Sequence, residues 1–257
     1  MPSAFCIPHP PGVAASQPPL LEVRGLSKAF GGLRAVDDLS FAVREGEILG
    51  LLGPNGSGKT TVFNVIAGVF PPDGGQVYFA GRQITRWAPS SRAALGIART
   101  FQLVRALPNL SALENVLVAR LYGCERSQSL SHAGAEALSL LAQVGLGDKE
   151  GVPAVKLTLA ERKRLEIARA LATRPRLLLL DEPAAGLNPV EVNAALALFG
   201  QIRAGGVTLV VVEHNVRALR ALCDRMVVLN SGKKIAEGTP AEALEHATVV
   251  EVYLGRV

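Results

Sequence analysis

The eight residues Gly53-Pro54-Asn55-Gly56-Ser57-Gly58-Lys59-Thr60 fit the pattern G-x-x-x-x-G-K-[ST] at every fixed position. Glycines at that spacing let a backbone wrap an anion with its N–H groups turned inward. A helix starting at the last glycine adds partial positive charge. Lys59 would then reach the outer phosphates of a nucleoside triphosphate, and the Thr60 hydroxyl would bind Mg²⁺. Thr61 follows directly and is counted with the nucleotide-contacting residues. The alternative, a glycine turn that merely joins a strand to a helix, does not require Lys-Thr after its last glycine.

A second set of reactive groups ends an apolar run. Leu177-Leu178-Leu179-Leu180 precedes Asp181-Glu182-Pro183. Four leucines make a strand buried on both faces, and the two carboxylates follow at the edge where α/β sheets bind ligands. The pleat sends Asp181 and Glu182 in different directions, so Asp181 can face Mg²⁺ while Glu182 faces a water. Glu182 is the candidate general base for in-line attack on the γ-phosphate, with positioning and charge neutralisation supplying most of the rate. A pair of solvated loop carboxylates is the competing reading, and it weakens beside a complete phosphate loop.

These groups must be positioned by elements that the remaining pattern supplies. Strand and helix patterns alternate from about Leu20 onward, which predicts an α/β fold with a largely parallel sheet. Short strands are expected at Leu21–Arg24, Leu39–Val43, Glu47–Leu52, Gln76–Ala80, Leu177–Leu180 and Val207–Val212. A helix is expected over Thr60–Val69 with Val62, Val65, Ile66 and Val69 on one face. From Leu103 to about Lys156 the pattern is helical, with Leu113–Leu121 and Ala133–Val144 the clearest segments. Met226–Leu229 and Lys234–Glu237 flank Asn230-Ser231-Gly232 and predict a hairpin. Thr239-Pro240-Ala241-Glu242 is a capping box with proline at the first helical position, so a helix begins there.

Composition narrows the function classes. With 257 residues and 49% hydrophobic content the chain can bury one sizeable α/β core. Aromatics at 5% argue against a base-stacking surface, and the +5 net charge is scattered along the chain, so no nucleic acid partner is expected. That charge suits either a solvated surface or attraction to an acidic partner or an anionic membrane face. Cys6, Cys124 and Cys223 are far apart and read as reduced thiols. No apolar run reaches the roughly 18 residues that span a bilayer. Residues 1–19 are proline-rich, contain no Lys, Arg, Asp or Glu, and are expected to form a disordered tail.

At this point the chain resembles the ATP-binding-cassette (ABC) ATPases, from about Leu20 to the C-terminus. The resemblance implies a phosphate-loop NTPase: an α/β fold with a mainly parallel central sheet, an antiparallel β subdomain and a helical insert subdomain, all within residues 20–257. It places Phe30, in Ser27-Lys28-Ala29-Phe30-Gly31-Gly32, where the family stacks an aromatic on adenine; a core phenylalanine is the alternative. Gln102, in Arg99-Thr100-Phe101-Gln102, matches the glutamine that senses Mg²⁺ and the γ-phosphate, and His214 matches the switch histidine. Catalysis is thus expected from Glu182, His214 and Gln102, with Thr60, Gln102 and Asp181 around Mg²⁺. Asp181-Glu182-Pro183-Ala184-Ala185-Gly186-Leu187-Asn188-Pro189, Arg164–Arg169 and the ending Val249–Gly255 are similar to the ATPases of branched-chain amino acid importers.

One stretch departs from the family. Its common Leu-Ser-Gly-Gly-Gln is here Leu157-Thr158-Leu159-Ala160-Glu161. In the family this segment starts a helix that presses on the γ-phosphate held by the opposite subunit, so Thr158 and Ala160 are expected to contact the partner's nucleotide. Thr158 keeps a hydroxyl and Thr158-Leu159-Ala160-Glu161 reads as a capping box. Ala160 restricts the backbone and Glu161 adds negative charge near a phosphate-facing surface. The resemblance further implies ATP and Mg²⁺ as cofactors and a second ATPase chain, identical or homologous. It also implies transmembrane permease subunits gripped by the insert at about 103–156, a substrate-binding protein indirectly, and a peripheral location at the cytoplasmic membrane face. An ABC ATPase for a lipid, lipopolysaccharide or amide cargo, a weakly catalytic regulatory partner, and a non-transport ABC protein are the alternatives.

Overall fold

The computed structural model describes residues 18–102, 106–123 and 129–254; residues 1–17 of the tail expected over 1–19, Cys6, Cys124 and the final residues 255–257 lie outside them. The chain opens with a hairpin, β1 (Leu21–Phe30) and β2 (Leu33–Val43), turned at Gly31-Gly32. Then come β3 (Ile48–Leu52), α1 (Lys59–Ile66), β4 (Gly74–Phe79), β5 (Arg82–Gln83), α2 (Pro89–Ala94) and β6 (Ile97–Arg99). The helical insert holds α3 (Ala112–Tyr122) and α4 (Leu130–Gln143), and α5 (Leu159–Ala172) leads back to β7 (Leu177–Asp181). The chain ends with α6 (Pro189–Ala204), β8 (Thr208–Val212), α7 (Val216–Leu222), β9 (Arg225–Asn230), β10 (Lys233–Gly238), α8 (Pro240–Glu245) and α9 (Ala247–Leu254).

Two sheets result. One is antiparallel, in the order β2-β1-β4-β5. The other runs β10-β9-β3-β8-β7-β6, parallel except for the antiparallel edge strand β10. The parallel strands are apolar without alternation because both faces are covered. Leu49, Leu51, Leu177, Leu179, Val210 and Val212 face α1 and the antiparallel sheet. Ile48, Leu52, Leu178, Leu180, Leu209 and Val211 face the opposite core, toward α5 and α6. Cys223 lies in that second core, and burial pushes its thiol pKa up, so it stays protonated.

The expected strands are present, several of them longer than read. The capping box at Thr239 starts α8, with Glu242 N–H donating to Thr239 Oγ1 at 3.4 Å. β5, α2, β6, α6 and α7 had no counterpart in the periodicity reading. β5, α2 and β6 are six residues or fewer, too short for a periodic signal. One expectation fails. α1 stops at Ile66, Gly68 takes φ 81°, and Val69 is 46% exposed, so Phe63 and not Val69 completes the buried face.

The end of α1 is held by an unusual group. Arg92 of α2 is 1% exposed and donates to four backbone carbonyls: Val65 at 2.6 Å, Ile66 at 2.7 Å, Thr85 at 2.9 Å and Trp87 at 3.1 Å. The guanidinium thus serves the carbonyl end of the helix that follows the phosphate loop, where positive charge is favoured. Burial lowers its pKa to about 10, still protonated near neutrality. Arg92→Leu leaves four carbonyls without this donor. Its expected cost, read from the midpoint of a urea titration, is on the order of 3 kcal/mol, with unfolding still cooperative.

Candidate nucleotide and hydrolysis site

The parallel register brings the reactive loops to one edge. β8 pairs with β3 through Leu51 and Val212 and with β7 through Asp181 and Val212. The residues that follow, Gly53, Glu182 and Glu213-His214, therefore leave the sheet side by side at its carboxyl edge. β6 pairs with β7 through Arg99 and Leu179, which carries Thr100, Phe101 and Gln102 to the same edge.

The loop between β3 and α1 is tight enough to require glycine. A Cβ on Gly53 would lie 2.4 Å from both the Leu229 carbonyl and Ser57 Oγ. Gly58 takes φ 103°, and a Cβ there would meet the Ala35 carbonyl at 2.4 Å. Lys59 lies across the loop and donates to the carbonyls of Gly53 at 2.7 Å and Pro54 at 2.9 Å. Burial holds its ammonium below the usual lysine value, while Glu182 and Asp181 pull it the other way. Asn55, Gly56, Ser57, Gly58, Lys59, Thr60 and Thr61 line a cavity of about 400 Å³ with Phe30, Leu33, Ala35, Gln102, Glu182 and His214.

Phe30 is 44% exposed at the rim of this cavity and meets Phe70 edge-on, with ring centroids 5.3 Å apart. The phenylalanine is therefore not a core residue, and its open face suits a planar base. Across from the loop, Glu182 has both carboxylate oxygens engaged. Gln102 Nε2 donates to Oε2 at 2.9 Å, and His214 Nε2 lies 2.6 Å from Oε1. Glu182 itself takes φ 48°, a left-handed conformation that turns the chain sharply after the strand.

Asp181 goes the other way, as the pleat predicts. It is 2% exposed and does not line the cavity; Arg99 donates to its Oδ2 at 2.8 Å. Oδ1 is buried with no hydrogen-bond partner among the described residues. A carboxylate oxygen in that state fits a cation or a cation-bound water. Arg99 also donates to Asn64 of α1 at 2.6 Å and lies over the rings of Phe63 and Phe101. Arg99 escaped the sequence reading, although it stands three residues before Gln102, because nothing local announces a partner 82 residues away.

Thr158 and Ala160 are not in this cavity. Thr158 caps α5, with Glu161 N–H donating to its hydroxyl at 3.3 Å and Thr158 N–H donating to Glu161 Oε2 at 2.8 Å. The backbone N–H of Thr158 holds the Glu161 carboxyl below the usual carboxylate range, with Lys149 3.9 Å away. Ala160 is 7% exposed, and its side chain lines a groove between α5 and α6. Asn188 caps α6 in the same manner, accepting from Val190 N–H at 2.9 Å and Glu191 N–H at 3.0 Å.

A strand, a glycine loop with a buried lysine, and a second strand ending in separated carboxylates define a phosphate-loop nucleotide-binding ATPase. The comparisons narrow this class. The ABC transporter family model matches residues 36–185, and the model for the C-terminus of branched-chain amino acid ATP-binding cassette transporters matches residues 233–257. Over 250 residues the chain is 38% identical to the high-affinity branched-chain amino acid transport ATP-binding protein BraF of Pseudomonas aeruginosa, covering 92% of this chain and 98% of BraF. It is 37% identical to LivG of Escherichia coli K12, a protein of the same description, over equal coverage. Among solved structures, the ADP conformation of MJ1267, an ATP-binding cassette of an ABC transporter, superposes with a TM-score of 0.83 at 31% identity over 93% of this chain and all of that one. A dimeric post-hydrolysis state of the cassette MJ0796 bound to ADP and Pi superposes with a TM-score of 0.78 at 26% identity over 86% of this chain and 98% of that one. The chain belongs to the ABC transporter ATPase family.

Lys59→Ala removes the ammonium that faces the cavity and leaves the loop's amides in place. Isothermal titration should show ATP affinity falling ten- to a hundredfold, the loss of roughly one or two charge-assisted contacts. Unchanged affinity would rule out the role assigned to Lys59.

Proposed function

We propose that this chain is the ATP-hydrolysing subunit of an importer of branched-chain amino acids, working as one of a pair of ATPases on a membrane permease. The observation that carries the catalytic part is Glu182, held between Gln102 and His214 on the far wall of the phosphate-loop cavity. The cargo reading rests on the C-terminal family match and on the names of the relatives.

ATP would lie with its base against Phe30 and its phosphates in the amide cradle of residues 53–60, with Lys59 at the outer phosphates. Glu182 would accept a hydrogen bond from the attacking water and polarise it, with Gln102 and His214 fixing the carboxylate's direction. His214 would also follow the loss of the γ-phosphate. Thr60, Gln102 and Asp181 would hold Mg²⁺, and the partnerless Asp181 Oδ1 supports that assignment. When bound, Mg²⁺ would neutralise charge on the outer phosphates.

The start of α5 at Thr158 would close on the nucleotide of a second ATPase chain, identical or homologous, since it lies outside this chain's own cavity. A dimeric relative with ADP and Pi bound supports such pairing. A groove of about 310 Å³ lies between α2 and the helices α3 and α5, with Val69, Pro89, Ala93, Phe101 and Ala119 in its walls. It would receive a helix of the permease, next to Gln102. Among the described residues no helix is long and apolar enough to cross a membrane. Attachment at the cytoplasmic face would therefore come through the permease, with a substrate-binding protein acting on the permease's other side.

Glu182→Gln should keep ATP affinity and lower turnover by at least about a hundredfold, the usual worth of a positioned base. It should also trap the closed dimer in size-exclusion runs with ATP. Rapid phosphate release by that variant would reject Glu182 as the base. Glu161→Gln retains a capping-box residue, so the start of α5 survives while the charge is lost. ATP-dependent association should rise, and equal or lower association would show that the acidic charge is silent there.

A further inference from the structure

The left-handed turn at Glu182 needs support, because a non-glycine residue at φ 48° is strained by about 1 kcal/mol or more. The backbone supplies part of it. Glu182 N–H donates to the Val212 carbonyl at 2.9 Å, and Ala185 N–H closes the turn onto the Glu182 carbonyl at 3.1 Å. Ala184 N–H donates to Glu213 Oε1 at 2.6 Å. The remaining support comes from another element. Lys163 of α5 donates to the Glu182 carbonyl at 2.9 Å and to the Pro183 carbonyl at 3.3 Å.

Lys163 stands in the run Arg162-Lys163-Arg164, which reads as a short surface cluster, yet it is buried at 8% exposure. Burial holds its ammonium below the usual lysine value, while Glu213, Glu166 and Glu182 pull it the other way. It does not line the nucleotide cavity. A buried ammonium that gives two bonds to the turn of a single catalytic candidate braces that turn. Its removal would free both carbonyls and let the turn relax toward ordinary backbone angles, swinging the carboxylate away from the cavity.

We propose that Lys163 is a positioning residue for hydrolysis: from α5 it locks the turn at Glu182 and so aims the carboxylate at the attacking water. This rests on the reading of Glu182 as the base. It assigns the lysine no contact with nucleotide or water. It also makes α5 one rigid body with Thr158 at its start and the brace of the base five residues on.

The test is single-turnover phosphate release by the full-length chain assembled with its transporter partners. Lys163→Met should lower the rate about tenfold or more with the KM for ATP held within about twofold. Lys163→Gln, whose amide still donates, should fall between the two, and it carries the test should the methionine chain fail to fold. In a Glu182→Gln background the same substitutions should change nothing further, because the residue acts only through that carboxylate. A full-rate Lys163→Met chain beside a slow Glu182→Gln chain overturns this proposal alone. So do losses that multiply in the double variant, or a raised KM at unchanged kcat. A Glu182→Gln chain with the unsubstituted rate overturns the base assignment and this proposal together.

Discussion

The parallel register of β3, β8 and β7 is the constraint on which the site depends. Phosphate loop, carboxylates and histidine come from three separate segments between Gly53 and His214, and they meet because three adjacent strands end together. In a sheet buried on both faces, a slip of one residue would carry leucines and valines from one core to the other. The two apolar cores therefore police the geometry of the polar edge. Ile48 and Leu52 on one side, and Leu49 and Leu51 on the other, leave β3 no freedom to shift.

Electrostatics at that edge follows from burial. Lys59 is drawn down by desolvation and held charged by the acids across from it. Asp181 is paired on one oxygen with Arg99 and, among the described residues, has no partner on the other, while Glu182 is tied on both. One strand pleat and one left-handed turn thus send neighbouring carboxylates to different surroundings. Arg99 extends the arrangement, joining Asp181 to α1 through Asn64 and lying three residues before Gln102.

The departure at Leu157–Glu161 becomes intelligible at the level of helix caps. Glu161 spends its carboxylate on the Thr158 N–H, and Asn188 and Glu191 repeat the device at α6. A negative group at the third helical position complements the helix dipole and needs no phosphate to justify it. The same α5 that presents Thr158 outward reaches inward with Lys163 to the turn at Glu182.

Much was legible locally. The phosphate loop, the leucine strand with its two acids, and the capping boxes at Thr158 and Thr239 are contiguous motifs whose chemistry depends on neighbours within a few residues. Those features pointed to Lys59 for phosphate, Asp181 for Mg²⁺ and Glu182 for the base, and the alternation of strand and helix patterns pointed to the α/β class. Val69 continues an apolar rhythm that Gly68 breaks, so α1 ends earlier than that rhythm predicts, and nothing in the local pattern assigns partners to Arg92, Arg99 or Lys163. Their roles were decided by the tertiary structure, since each is buried against carbonyls or a carboxylate supplied by another element. A cation's burial depends on what packs over it, and no spacing along the chain records that.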